Sequence, residues 1–295
     1  MSKIAYVEPK RWNGQTKQLL ETIEKVVLGY LSEGYSLTLR QLYYQLVSKN
    51  IISNSESEYK KIGRILKDAR MAGIIDWDAI EDHVRVPNIP IQFDNLDELF
   101  DAAANSYHVN RWADQPYYVE VWCEKDALTS VLQPITTKYQ VPLIIDRGYS
   151  SVTAMQKASV RIIQQSYDNN CRRSYILYLG DHDPSGLDME RDIEDRLREF
   201  LCEPTIMRVA LTTEQTEKYH LPPNPAKITD PRAKWYFEEY GNQSWELDAL
   251  EPSLLSSMVE SEIRNLLDVA KYDKALESEK LDLEQLRERW YGETR

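Results

Sequence analysis

The stretch that decides the fold is Tyr175-Ile-Leu-Tyr-Leu-Gly-Asp-His-Asp-Pro-Ser-Gly-Leu-Asp188. It begins as an apolar run of strand character that ends at Gly180. Asp181 and Asp183 follow, and Pro184-Ser-Gly186 opens a helix. Acids at the carboxyl end of a buried strand lie at the sheet edge where open α/β folds bind ligands. Their spacing suits Mg²⁺, while the alternative is that Asp183 only caps the helix.

Strands and helices alternate on both sides of this stretch. Apolar segments of strand character cover residues 117–124, 141–146, 174–181 and 204–211, and helices are predicted from 126, over 152–166 and over 187–201. This alternation predicts an α/β fold with a four-stranded parallel sheet flanked by helices and right-handed crossovers. Parallel strands end at the same edge, so Glu124, which follows the first strand, is expected beside Asp181 and Asp183.

The residue types at this edge also narrow the choice of metal. Three carboxylates without His or Cys favour Mg²⁺, with Mn²⁺ as the alternative, over zinc. The three cysteines Cys123, Cys171 and Cys202 show no metal-type spacing, and they indicate thiols in a reducing compartment.

The amino-terminal part has helical periodicity. Helices are predicted over 17–32, over 39–47 with Thr38 and Gln41 as a capping box, and over 59–72. Ile74–Trp77 and His83–Val86 are expected to pair as a short hairpin. Three helices and a hairpin predict a winged helix-turn-helix whose third helix is the recognition helix.

The third predicted helix carries a basic face. Lys60, Arg64 and Lys67 lie at i, i+4 and i+7, opposite an apolar stripe. On such a helix the basic face is expected to contact DNA phosphates, and the alternative is an ordinary solvated face.

The two tyrosines of the second predicted helix point in different directions. Tyr43 lies within the apolar stripe and is expected in the core, whereas Tyr44 falls on the flank, one turn from Arg40. An exposed tyrosine beside a guanidinium is a candidate nucleophile, because the cation favours the phenolate and binds the attacked phosphate. The alternative is an ordinary surface pair of Tyr and Arg.

Length and charge set the outer limits. The chain has 295 residues and a net charge of -12. Residues 1–90 carry 13 basic and 11 acidic side chains, a net charge of +2, whereas residues 91–295 have a net charge of -14. A polyanion is therefore expected to bind the amino-terminal part. We expect a DNA-binding domain at 1–88, a linker at 89–115 and a metal-binding domain with carboxyl-terminal helices at 116–295. With no apolar run long enough to span a membrane and no signal peptide, a cytoplasmic, nucleoid-associated protein is expected.

The order of these motifs resembles a known family. A Glu after one strand and Asp-x-Asp after a later one are similar to the Toprim domain of topoisomerases, primases and some nucleases. Leu39-Arg-Gln-Leu-Tyr-Tyr44 and Gly180-Asp-His-Asp-Pro-Ser-Gly186 resemble motifs of the topoisomerase VI A subunit and its meiotic double-strand-break relative. Leu211-Thr-Thr-Glu-Gln, Leu221-Pro and Glu246-Leu-Asp-Ala-Leu250 follow in the family's order. The length is similar to that of the compact bacterial, plasmid and phage members.

The resemblance implies roles for particular residues. The nucleophilic tyrosine falls on Tyr44, the motif arginine on Arg40, and the metal acids on Glu124, Asp181 and Asp183. Gln41 departs from the family, which has an acid there, although a cap role accounts for Gln. No nucleotide-binding motif is present, so ATP-driven strand passage would need a separate ATPase subunit of the B type.

The resemblance also implies a mechanism. Tyr44 attacks double-stranded DNA and becomes linked to a 5′ phosphate, with Mg²⁺ held by the acids of the partner protomer in a homodimer that cuts both strands. This is the cleavage activity of a type IIB topoisomerase A subunit. Two alternatives stay open. One is a Mg²⁺-dependent Toprim nuclease that uses water and has a structural Tyr44, and the other is a non-catalytic DNA-binding subunit.

Overall fold

The computed structural model describes residues 3–81, 90–146, 148, 150–168, 173–226 and 233–292. Its helices are α1 (Gly14–Ser32), α2 (Leu39–Ser48), α3 (Glu56–Met71), α4 (Leu96–Ser106), α5 (Thr129–Tyr139), α6 (Val152–Asp168), α7 (Pro184–Glu199), α8 (Thr213–Lys218), α9 (Ala233–Tyr240), α10 (Pro252–Asn265) and α11 (Val269–Gly292). Its strands are β1 (Tyr117–Cys123), β2 (Leu143–Ile145), β3 (Arg173–Leu179), β4 (Thr205–Ala210), β5 (Asn224–Pro225) and β6 (Gln243–Ser244).

The central sheet is parallel throughout, in the order β2-β1-β3-β4. This confirms the predicted α/β fold with a four-stranded parallel sheet flanked by helices. Successive side chains of β1 point to opposite faces, as in any strand. Val119 and Val121 join a core cluster that includes α5 and α10, whereas Tyr118 and Trp122 join a second cluster that includes α6 and α7. The sheet is therefore buried on both faces, and its ligand-binding edge is the carboxyl end of the strands.

The first three helices enclose a core of their own. The stripe Ile62, Ile65, Leu66 and Ala69 of α3 is buried there, as its periodicity predicts. Thr38 caps α2, its side chain accepting from the Gln41 backbone while Gln41 Oε1 accepts from the Thr38 backbone. Helix α3 begins at Glu56, three residues before the predicted start, because the Ser55 side chain caps it.

The predicted hairpin after α3 is wrong in its first half. Ile74–Trp77 does not form a strand, and Trp77–Ala79 is a 3₁₀ turn that Asp76 caps through its carboxylate. Arg70 donates to the carbonyl oxygens of Trp77 and Ile80, which holds the segment against α3. Local capping and these two bonds compete with strand pairing for the same backbone groups. The second half, His83–Val86, lies outside the described residues.

Helix α2 contributes to two cores. Its Leu42 and Leu46 pack among the amino-terminal helices, while Tyr43, Tyr44 and Val47 belong to the cluster on one face of the sheet. The run from Gln41 to Val47 is buried without interruption. The helix that carries both tyrosines is therefore enclosed from two sides.

The last helix, α11, is tied back to the segment before β1. Arg111 donates to the Glu279 carboxylate at 2.7 Å, and the Val109 backbone donates to it at 3.1 Å. Further along α11, Trp290 stacks on Phe100 of α4 with ring centroids 4.6 Å apart. Among the described residues, no helix combines the length and apolarity needed to cross a membrane.

Candidate active site

The Asp181 loop turns sharply between β3 and α7. Gly180 bonds to β4 through its backbone, donating to Ala210 O at 2.8 Å and accepting from Leu211 N at 2.9 Å. At Gly186 a Cβ atom would lie 2.3 Å from the Asp181 carbonyl oxygen, so only glycine fits. Asp183 Oδ1 accepts from Gly186 N at 2.6 Å and caps α7. The cap role that the sequence left open for Asp183 is therefore observed.

Arg208 of β4 holds this loop from beneath. Its guanidinium donates to the carbonyl oxygens of Gly186 at 2.8 Å and of Gly180 and Asp181 at 3.3 Å each. Its Nε atom bonds to Glu190 Oε2 of α7 at 2.7 Å. A fourth donation goes to Leu211 O at 3.2 Å. A half-buried arginine whose donors serve four carbonyls and a carboxylate fixes the loop geometry.

A second segment brings more acids to Asp181. His182 and Trp245 exchange backbone hydrogen bonds of 2.9 and 3.0 Å, and Leu247 N donates to Asp181 Oδ1 at 2.7 Å. This pairing places Glu246 and Asp248 beside the Asp181 loop. The Asp248 side chain is fully buried, and its Oδ1 atom has no hydrogen-bond partner among the described residues.

Lys125 lies at the centre of these acids. Its Nζ atom is 2.8 Å from Asp181 Oδ2 and 3.1 Å from Asp248 Oδ2, and it also bonds to Glu246 Oε2. Burial alone would lower the pKa of Lys125, but Asp248, Asp181 and Glu246 outweigh it and raise the pKa well above its ordinary value. The site thus contains a permanent ammonium charge among its carboxylates.

Glu124 lies next to Asp181, as the strand order predicts. Its backbone donates to Leu179 O at 3.1 Å, and its carboxyl group accepts from Tyr178 Oη at 3.4 Å. Burial raises the pKa of Glu124. Lys125 opposes this rise, and the negative charge of Asp183 adds a smaller contribution to it. Burial also raises the pKa of Asp181 well above its usual range, and Glu124 and Glu246 add to that rise.

Tyr44 is buried, which corrects the prediction of an exposed flank position. Only 7% of it is accessible, because the core cluster on one face of the sheet covers the side of α2 that the helical wheel left open. Arg40 lies close to it, 5.8 Å from the ring centroid. The arginine is bound at 2.6 Å to Glu246 Oε2 and at 3.1 Å to Asp248 Oδ2.

The hydroxyl of Tyr44 is not ionised more easily than that of a free tyrosine. Burial, and then the charge of Glu246, raise its pKa, while the Asn224 amide, Arg40 and Lys125 oppose the rise without cancelling it. Arg40 thus favours the phenolate, as expected, but its effect on the pKa of Tyr44 is smaller than the effects of burial and Glu246. The same network lowers the pKa of Glu246 to about 2, because Lys125 and Arg40 outweigh its burial.

The basic face of α3 is on the surface. Lys60, Arg64 and Lys67 are all exposed, and Lys60 pairs with Glu56 one turn earlier. Lys67 also lines a groove of about 670 Å³ that contains Arg40, Arg70 and Trp77 and reaches Asp126, which follows β1. Of the three basic residues, Lys67 therefore borders the same groove as the first turn of the tyrosine helix.

Four residues of the site were not assigned roles from the sequence: Lys125, Asn224, Glu246 and Asp248. The segment 246–250 entered the sequence analysis only as part of a resemblance, and its acids show no chemistry without their neighbours. Lys125 directly follows the predicted metal acid Glu124, which was the available signal. Asn224 lies in a proline-rich loop with no local signal at all.

The acids suit a hard cation in donor type. Asp181 is buried and Glu124 is half-buried, and each lies at the end of one of two paired strands, an arrangement that a divalent cation would stabilise. Within the described part of the chain, however, no group of three or more His, Cys, Asp or Glu side chains is arranged as a ready metal site. The Asp183 cap and the Lys125 ammonium explain this, since each engages carboxylate oxygens that a metal would need.

Comparison of this chain with protein-family models, with curated proteins and with solved structures gave no match.

Proposed function

We propose that this protein cleaves double-stranded DNA by transesterification, as the A subunit of topoisomerase VI does. The observation that supports it most is the connection between Tyr44 and the acids. Arg40, one turn from Tyr44 on α2, is bound to Glu246, and Glu246 and Asp181 are both bound to Lys125. A tyrosine, two cations and a group of carboxylates are the parts that phosphoryl transfer to a tyrosine requires.

In this reaction the Tyr44 oxygen attacks the phosphorus and forms a phosphotyrosyl bond. The bond from phosphorus to the 3′ oxygen breaks, so the 5′ phosphate stays on Tyr44, and the proton lost by the phenol balances the one gained by the 3′ hydroxyl. The reverse reaction reseals the strand. Because a phosphodiester bond is exchanged for a phosphotyrosyl bond, no external energy source is needed for cleavage or resealing.

Arg40 has a defined part in this proposal. It lies between the Tyr44 ring and the carboxylates, so its guanidinium would bind a non-bridging oxygen of the attacked phosphate. A bound phosphate competes with Glu246 and Asp248 for the same donors. Mg²⁺ or Mn²⁺, held by Glu124, Asp181 and Asp183, would supply neutralisation of the phosphate charge.

The domains receive their roles from the same proposal. Residues 1–88 act as the DNA-binding domain through the three helices of the predicted winged helix, although the predicted first strand of its wing does not form, with Lys60, Arg64 and Lys67 on the phosphates. Residues 116–295 act as a Toprim domain. A homodimer gives one active site for each strand. Passage of a second duplex would require a separate ATPase subunit.

A nuclease that uses water is the second candidate, and one observation favours it. Tyr44 is buried and its pKa is raised, which is unusual for an activated nucleophile. In that case the acids would act on a water molecule and Tyr44 would be a structural residue.

The test uses supercoiled plasmid, Mg²⁺ and rapid denaturation with detergent. The proposal expects protein attached to the 5′ ends, and Tyr44→Phe should remove both the adduct and the cleavage. Tyr59→Phe is the matched control, since Tyr59 and Tyr44 line one cavity and Tyr59 packs edge-on against Tyr43. Cleavage by Tyr44→Phe without an adduct would establish the nuclease, and DNA binding without cleavage would establish a non-catalytic subunit.

A mixing experiment identifies the chain that supplies the acids. The resemblance implies that Tyr44 meets the acids of the partner, although one chain already connects Tyr44 to its own. Tyr44→Phe and Asp181→Asn are mixed and allowed to exchange subunits. Nicking by the mixture assigns the acids to the partner, and an inactive mixture assigns them to the same chain.

A further inference from the structure

The oxygen of Tyr44 is held by an amide from a distant part of the chain. Asn224 Nδ2 donates to Tyr44 Oη at 3.2 Å, across a separation of 180 residues. Asn224 lies in β5, which pairs with β6 directly before the segment that carries Glu246 and Asp248. The loop that contacts the tyrosine and the segment that contacts Arg40 are thus parts of one structural unit.

The Asn224 side chain is itself held in place. Its Oδ1 atom accepts a hydrogen bond from Asn54 Nδ2, and Asn54 Oδ1 accepts from Tyr43 Oη at 2.9 Å. The Tyr43 oxygen accepts from the Ser55 backbone at 2.7 Å. Four side chains therefore form a continuous row, from Tyr43 through Asn54 and Asn224 to Tyr44.

The direction of this row follows from a backbone group. Asn54 Nδ2 also faces the Pro223 carbonyl at 3.4 Å, and a carbonyl oxygen only accepts. The amide nitrogen of Asn54 must then point toward the loop, so Asn224 presents its oxygen to Asn54 and its nitrogen to Tyr44. With Asn224 as donor to its oxygen, Tyr44 keeps its own proton for a different acceptor.

A donor in this position favours negative charge on the phenolic oxygen. The amide is among the groups that counter the rise in the pKa of Tyr44. The site needs such a contribution, because burial and Glu246 act against ionisation of the same oxygen. Tyr44 also lines a cavity of about 280 Å³, together with Arg40, Asn54 and Tyr59.

We propose that Asn224 is the positioning residue for Tyr44. Its amide orients the hydroxyl toward the cavity and stabilises the charge on the oxygen while the bond to phosphorus forms or breaks. Asn54 serves as the anchor that keeps the Asn224 amide in this orientation. The inference rests on the proposed function, in which Tyr44 is the nucleophile.

The test compares Asn224→Ala and Asn224→Asp with the wild-type chain. Asp has the shape of Asn but lacks the N–H, so a role in packing would leave Asn224→Asp active. A role as donor predicts that both variants form the adduct about 100- to 1,000-fold more slowly, with the DNA affinity of Asn224→Ala unchanged. Ser244→Ala is the control, because Ser244 contacts the Asn224 carbonyl and not Tyr44.

A second measurement needs no DNA. NMR with ¹³Cζ-labelled tyrosine, with Tyr44 assigned from Tyr44→Phe, follows its ionisation with pH. The midpoint should rise in Asn224→Ala and rise further in Asn224→Asp, because the new carboxylate adds to the negative field of Glu246 and opposes the positive fields of Arg40 and Lys125. In Asn54→Ala the midpoint of Tyr44 ionisation should rise by a smaller amount. This variant replaces the Asn224 variants in the test if those do not fold.

The outcomes separate the two proposals. An unchanged Tyr44 midpoint in a folded Asn224 variant overturns the role of Asn224, as does adduct formation at the wild-type rate. A wild-type chain that forms no adduct overturns the proposed function, while the NMR titration still reports whether Asn224 acts on Tyr44.

Discussion

Arg40 Nη2 lies 2.6 Å from Glu246 Oε2, although 206 residues separate them in the chain. This contact joins the tyrosine helix to the acids at the edge of the sheet. Arg40 also reaches the fully buried Asp248 with its Nε atom, so one guanidinium serves two carboxylates. Such a planar fork cannot be replaced by the single ammonium of a lysine.

Replacing Arg40 should therefore weaken the packing of α2 against the segment that carries Glu246 and Asp248. We expect Arg40→Met to lower the free energy of unfolding by about 1.5–3 kcal/mol, the usual range for hydrogen bonds to charged groups. Urea unfolding measures the change. Lys49→Met is the control, because its ion pair with Glu251 is exposed and contributes about 0–1 kcal/mol. Equal losses in the two variants would contradict the structural role of Arg40.

Lys125 should control the response of the protein to divalent cations. Lys125→Met leaves Asp181, Glu246 and Asp248 with less compensation, and breaking a buried ion pair costs about 3–5 kcal/mol. Added Mg²⁺ should recover part of this loss, so the melting temperature should rise more in Lys125→Met than in wild type. Differential scanning calorimetry measures both effects, with the exposed Lys60→Met as control. The same Mg²⁺ shift in all three proteins would argue against a cation site among these acids.

Gly186 should be intolerant of any side chain. Gly186→Ala places a Cβ atom 2.3 Å from the Asp181 carbonyl oxygen, so the loop has to move, at a cost of about 1–3 kcal/mol. Gly29→Ala is the matched control in the interior of α1, where a Cβ atom meets nothing within 4 Å. That change should stabilise the protein by about 0.5–1 kcal/mol. Chemical denaturation of both variants checks the opposite signs.

The contact between Glu279 and Arg111 should depend on pH. Burial alone would raise the pKa of Glu279, but its bonds to Arg111 and His108 outweigh this, and the pKa is lowered. The folded state thus gains stability above the ordinary glutamate pKa of about 4.3, and it loses that gain as the pH falls through the lower folded value. Glu279→Gln should be less stable by about 2 kcal/mol at neutral pH, and the difference should vanish in acid. Urea unfolding from pH 7 to pH 3 tests this, and a constant difference would contradict it.

The basic face of α3 should appear in the salt dependence of DNA binding. Each cation that neutralises a phosphate contributes about 0.9 to the slope of log affinity against log salt concentration. Replacing Lys60, Arg64 and Lys67 with Gln should therefore lower the slope by about 2–3. Lys280→Gln on α11 is the control and should leave the slope unchanged. Fluorescence anisotropy at several salt concentrations measures both.

The sequence by itself determined the elements whose signals are local. The apolar runs and the turn at Gly180 predicted β1, β3 and the parallel sheet, because alternation of strands and helices restricts the topology to few choices. The capping box at Thr38 and the stripe of α3 were also predicted, since hydrogen bonds and periodicity within one helix settle them. The shared edge of Glu124 and Asp181 followed from strand direction alone.

Only the tertiary structure decided the environment of the site. Tyr44 is buried because it packs into the core cluster on one face of the sheet, and a helical wheel contains no information about such a neighbour. The contact of Lys125 with Glu246 spans 121 positions of the sequence, and that of Asn224 with Tyr44 spans 180. No local sequence pattern encodes contacts of this range. The sequence was sufficient to select the acids and the tyrosine as candidate site residues. Their charges, partners and accessibility depend on burial and on distances in the folded chain.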